Sequence, residues 1–98
     1  MPYGLSDATI ETIRLVMRQH AAVKHTILYG SRAKGNYRDG SDIDLALEGP
    51  DITFDELLRI ESQLDALDLP YHIDVSIYHQ LNHPELVNHI QRVGCVIA

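Results

Sequence analysis

The sequence predicts a small α/β (α+β) domain in which a mixed sheet of three to four strands carries helices packed on one face. Three observations predict it. Ninety-eight residues, 45% of them hydrophobic and 22% charged, have the length and balance of one soluble domain with a single core, spanning 1–98. Some segments repeat apolar residues at spacings of three and four, whereas others alternate with period two. The two kinds interleave as helix, strand, strand, helix, strand, helix, the order of a layered mixed fold rather than a bundle or a sandwich.

The first helix runs from Ser6 to about Ala22, because Ile10, Ile13, Val16, Met17 and Ala21 share a stripe, Ser6 is an N-cap and Asp7 lies in the first turn. His25 to Tyr29 is β-branched and aromatic and is halted by Gly30, which suits a buried strand. Residues 30–41 are polar and basic and punctuated by Gly30, Gly35 and Gly40, the composition of a functional loop. Ile43 to Glu48 alternates, placing Ile43, Leu45 and Leu47 on one face and Asp42, Asp44, Ala46 and Glu48 on the other. Gly49-Pro50 ends that strand. Thr53-Phe54-Asp55-Glu56 is a capping-box pattern that opens a helix through Leu57, Ile60, Leu64 and Leu67, closed by Pro70. Tyr71 to Tyr78 alternates again, with Ile73, Val75 and Ile77 opposite His72, Asp74 and Ser76. Pro84 opens a last helix that Gly94 stops, and the apolar tail Val93 to Ala98 forms an interface strand or covers the core.

Charge and cysteine usage exclude several classes. No apolar run reaches the ~18 residues of a membrane span, and the N-terminal residues lack the pattern of a secretory signal, so a cytoplasmic protein is expected. Cys95, the single cysteine, makes neither an internal disulfide nor a CxxC-type zinc site. A net charge of −6, from 14 acidic and 8 basic residues, argues against direct binding of long nucleic acid. The distribution is uneven. Arg32, Lys34 and Arg38 crowd together, whereas Asp42 to Asp68 carries nine carboxylates and only Arg59 as a base. A basic island beside an acidic stretch is what a site for phosphate plus metal requires.

The chemistry concentrates in two motifs and one lone acid. Gly30-Ser31-Arg32-Ala33-Lys34-Gly35 follows a strand, and its glycines let the backbone approach an anion while Ser31, Arg32 and Lys34 supply a hydroxyl and two cations for phosphate. It is not a Walker A loop. Asp42 and Asp44, two apart on a strand, share a face and suit a divalent cation that also takes substrate phosphate oxygens. Asp74 joins them if its strand pairs beside the first. Three carboxylates on one face repel one another unless cations neutralise them, as in sites that hold two metal ions for phosphoryl displacement.

Gly30-Ser31, the ten residues that separate Ser31 from Asp42, the Asp42-x-Asp44 pair and the downstream Asp74 together resemble the minimal nucleotidyltransferase (MNT) group of the DNA polymerase β superfamily, over nearly the whole chain. The resemblance implies a polymerase-β-like core. It also implies that Gly30 and Ser31 bind a nucleoside triphosphate, that Asp42 and Asp44 bridge two Mg²⁺ ions, and that Asp74 completes one metal shell and assists the incoming hydroxyl. Small proteins of this group resemble antitoxins whose partner is a helical HEPN ribonuclease toxin, and in that family AMP passes from ATP to a tyrosine of the toxin. The expected function is that transfer, with assembly into a homo- or hetero-oligomer. The alternatives are a non-catalytic antitoxin that neutralises its toxin by binding, and a nucleotidyltransferase acting on a small molecule such as an aminoglycoside.

Other residues carry weaker expectations. His72 shares the Asp74 face and can orient a carboxylate or touch nucleotide. Tyr29 can stack on a base or simply pack. His79 and His83 are expected to be solvated, and Cys95 to be a small buried hydrophobe.

Overall fold

Ser6 starts the first helix as its side chain requires. In the computed structural model, which describes residues 2–98, Ser6 Oγ accepts the Thr9 amide N–H at 3.1 Å and helix α1 runs Asp7–Arg18. It stops short of Ala22 because the Gln19 and His20 amides tighten onto the Val16 and Met17 carbonyls and His20 turns into the protein. The buried imidazole holds Glu56 Oε2 through Nδ1 (2.9 Å) and Gln63 Oε1 through Nε2 (2.7 Å). Both partners lie on helix α3, Phe54–Asp65. Thr53 Oγ1 caps α3 by accepting the Glu56 amide, but the Glu56 carboxylate serves His20 and leaves the capping box half made.

The strands are β1 (His25–Tyr29), β2 (Ile43–Glu48), β3 (Ile73–Ile77) and a short β4 (Cys95–Val96), with the single-turn helix α2 (Gly30–Lys34) after β1 and helix α4 (Pro84–Val93) before β4. They form one mixed sheet in the order β3-β2-β1-β4. Strand β1 is antiparallel to both β2 and β4, and α3 is the crossover that lets β3 lie parallel to β2. The tail covers the core, the second of the two roles expected for it. Cys95 and Val96 pair with Leu28 and Ile27 at the sheet edge, and Ile97 enters the core.

Alternation sorts the sheet into two faces. Leu28, Ile43, Leu45, Leu47, Val75 and Ile77 bury against Ile10, Ile13, Val16 and Met17 of α1 and Ile60 and Leu64 of α3. Burying side chains of this size contributes roughly 1.5–3 kcal/mol each. Helices on one face alone were expected, yet α4 crosses the other face and seats Ile90 against Tyr29 and Ala46. The small side chain of Ala46 lets Ile90 approach the sheet there, with Ile27 packed beside them. The end of that face that bears the acids stays open, as does the far end at His25 and Glu48.

Candidate active site

The parallel register of β2 and β3 sets Asp44 directly beside Asp74, and the antiparallel register of β1 and β2 sets Asp44 opposite Tyr29. Residues paired across a sheet point to the same face. Asp42 stands just ahead of β2, beside the Ile43 amide that donates to the His72 carbonyl at 2.9 Å. Asp42, Asp74 and His72 are exposed, and Asp44 is half-buried. Burial pushes the Asp44 carboxyl above its ordinary range, the charges of Asp74 and then Asp42 push it further, and His72 and His89 oppose them. Burial likewise raises the Tyr29 phenol.

The turn after β1 closes on this carboxylate. Gly30 has φ +76°, and a Cβ built there would collide with Asp44 Oδ2 and come within 3.2 Å of its Cγ. Glycine is needed twice over, for the left-handed backbone and for the approach of the acid. Ser31 follows, half-buried in the first turn of α2, and the Gly35 amide returns to the Ser31 carbonyl at 2.9 Å to end the turn. Lys34 is exposed beside it.

Arg32 does not join this group. Its side chain is 2% exposed, its Nε and Nη2 donate to the Ser41 carbonyl (3.0 and 2.8 Å), and its Nη1 donates to the Tyr3 carbonyl (2.9 Å). The Tyr71 and Tyr37 rings flank the guanidinium, with centroids 4.8 and 5.4 Å away. The expectation of a phosphate contact is corrected. The cation is turned inward, where it ties the loop that precedes Asp42 to the N-terminal turn. A cleft of about 530 Å³ opens at this point, lined by Arg32, Tyr37, Asp39, Gly40 and Tyr71, to the side of the carboxylates rather than over them.

The residue that sequence reasoning missed is His89 on α4. Its Nε2 accepts the Gly30 amide N–H at 3.0 Å, and its ring meets Tyr29 edge-on at 6.2 Å. A histidine on a helical stripe carries no local mark of a partner 59 residues away. His79 and His83 are both exposed as expected, and His83 also caps α4 through Nδ1, which accepts the Leu86 amide at 3.1 Å. Cys95 is half-buried.

Among the described residues, no three His, Cys, Asp or Glu side chains stand close enough together to enclose a metal ion. A protein cage is not what Mg²⁺ demands, since it keeps several waters and takes one or two carboxylates with substrate phosphates. The open Asp44–Asp74 pair, pressed against a glycine whose side-chain position the carboxylate occupies, fits that role. Among the described residues no helix is long and apolar enough to cross a membrane.

This architecture, with acids at adjacent strands facing a Gly-Ser turn, is a nucleotidyltransferase fold. The model of the family described as polymerase beta, nucleotidyltransferase, matches residues 11–98, and the chain belongs to that family. Among curated proteins none matches by sequence. Solved structures do. A toxin–antitoxin crystallised with AMP-PNP superposes with a TM-score of 0.73 at 21% identity, over 91% of this chain and 72% of that one. The complex of a tri-AMPylated Shewanella oneidensis HEPN toxin with its MNT antitoxin gives 0.71 at 18% identity, over 96% and 72%. The toxin–antitoxin MntA-HepT gives 0.70 at 18% identity, over 95% and 72%.

Proposed function

We propose that this protein is a metal-dependent antitoxin of the nucleotidyltransferase family, which transfers AMP from ATP to a tyrosine of a HEPN ribonuclease toxin. The observation that carries the reading is the junction of Gly30 with Asp44, and of Asp44 with Asp74. A triphosphate bound at the Gly30-Ser31 turn lies beside carboxylates that only cations can reconcile with it. The similarity to toxin–antitoxin structures, one with AMP-PNP and one with an AMPylated HEPN toxin, supports ATP as donor and a HEPN toxin as acceptor.

Asp42, Asp44 and Asp74 would hold Mg²⁺, two ions in this reading, which supplies neutralisation of the triphosphate and of the charge that develops on the leaving group. The Ser31 hydroxyl and the turn backbone bind phosphate oxygens, and Lys34, in place of Arg32, adds the positive charge. The acceptor phenol oxygen forms a bond to the α-phosphorus as the bond to the bridging oxygen of pyrophosphate breaks. The exposed Asp74 carboxylate accepts the phenol proton. The chain mainly positions charges, which suffices for in-line transfer.

The test is label transfer from ATP labelled at its α-phosphate to a co-purified HEPN partner, in Mg²⁺ and in excess EDTA, beside a pull-down of the two proteins. Labelling that needs Mg²⁺ and is lost in the Asp42→Asn/Asp44→Asn double variant is expected. Tight inhibition of the toxin without labelling would establish instead the antitoxin that acts by binding alone.

A further inference from the structure

The Gly30 amide is the first N–H of the turn that faces the acids, and His89 Nε2 already occupies it at 3.0 Å. An amide can only donate, so Nε2 is the bare nitrogen and the proton of the neutral ring sits on Nδ1. The ring also meets Tyr29 edge to face, and α4 is anchored by Ile90 packed against Tyr29 and Ala46. Strand end, turn and helix thus meet at one imidazole. Gly30 is also the residue whose bare Cα admits the Asp44 carboxylate, so any shift of its amide changes the space left for that acid.

We propose that His89 is a positioning residue, which fixes through the Gly30 amide the depth at which the Gly30-Ser31 turn sits against Asp44. The inference rests on the nucleotidyltransferase reading above for its consequence, and on the His89–Gly30 bond alone for its geometry. Because the Gly30 amide is taken, phosphate is held by the Ser31 hydroxyl and by amides further along the turn. His89 touches neither substrate nor metal and acts only through where it places them. Removing the acceptor leaves a half-buried N–H unpaired and lets the turn drift, while an acceptor of similar reach keeps it in place.

The experiment uses the full chain and two variants, His89→Leu, which keeps bulk without an acceptor, and His89→Gln, whose amide oxygen can take the Gly30 N–H. Long-range ¹H–¹⁵N spectra at about pH 8, where imidazole is neutral, report the tautomer, and amide hydrogen exchange reports Gly30. The Nδ1–H tautomer with a protected Gly30 amide is expected in the parent, protection lost in His89→Leu and regained in His89→Gln. Calorimetry with ATP in Mg²⁺ should show roughly tenfold weaker binding by His89→Leu, the worth of about one hydrogen bond, and recovery by His89→Gln. An Nε2–H tautomer in the parent, or a His89→Leu protein with Gly30 protection and ATP affinity unchanged, overturns the proposal. If the parent binds no nucleotide, the functional reading falls, and the tautomer and Gly30 exchange still decide whether His89 holds the turn.

Discussion

Replacing Gly30 with Ala places a methyl group where Asp44 Oδ2 now sits, on a backbone whose φ of +76° disfavours any side chain. Gly35 supplies an internal control, since its φ is +90° but an added Cβ there meets nothing within 4 Å. Left-handed backbone costs about 1–2 kcal/mol outside glycine, which in a domain of this size lowers Tm by ~4–16 °C. Gly35→Ala should lose that much and no more. Gly30→Ala carries the same cost plus an overpacking term of ~1–3 kcal/mol if the carboxylate stays in place. If Asp44 swings away instead, the second term is relieved, and metal-dependent ATP binding is lost with it. Thermal unfolding followed by circular dichroism and calorimetry with ATP and Mg²⁺ separate these cases. A Gly30→Ala protein that melts like Gly35→Ala and binds ATP like the parent would refute the junction between the turn and Asp44.

Three further perturbations test other parts of the structure. Arg32→Ala removes three buried hydrogen bonds and the stacking on Tyr37 and Tyr71, so it should cost ~2–5 kcal/mol by denaturant unfolding; a loss of ATP binding at unchanged stability would restore the phosphate role. Lys34→Ala, on an exposed side chain, should weaken ATP binding while stability changes by no more than ~0.5 kcal/mol, and equal affinity in variant and parent would remove Lys34 from the site. Without metal, the raised Asp44 carboxyl keeps its proton in the folded state over a pH range where the unfolded chain has already lost it. Stability therefore falls as pH rises from the ordinary value of 3.8 through the folded one, and stays lower above it. Asp44→Asn abolishes that fall, so it should unfold at higher denaturant than the parent at pH 7 and show no such advantage at pH 3; parallel stability curves would show that Asp44 carries no burial or repulsion penalty.

The elements and the acids are legible in the chain alone, because both are written at short range. A period of two places Asp42 and Asp44 on the face opposite Ile43, Leu45 and Leu47 whatever the sheet packs against. Ser6 and Thr53 mark helix starts through side-chain bonds that span three residues, and Pro84 through its fixed φ at the first helical position. The end of α1 was not legible, because it depends on Glu56 and Gln63 drawing His20 inward from another helix. That Asp44 meets Asp74 depends on the folded sheet, since pairing between strands separated by a helix is settled by which faces bury together. Folding also decided the fate of two side chains that look alike as candidates for surface chemistry. Arg32 goes inward because two backbone carbonyls and two tyrosine rings, none of them beside it in the chain, desolvate its charge at little cost. His89 comes to the turn because its neighbour Ile90 packs against Tyr29 and Ala46, which brings the imidazole nitrogen to the Gly30 amide.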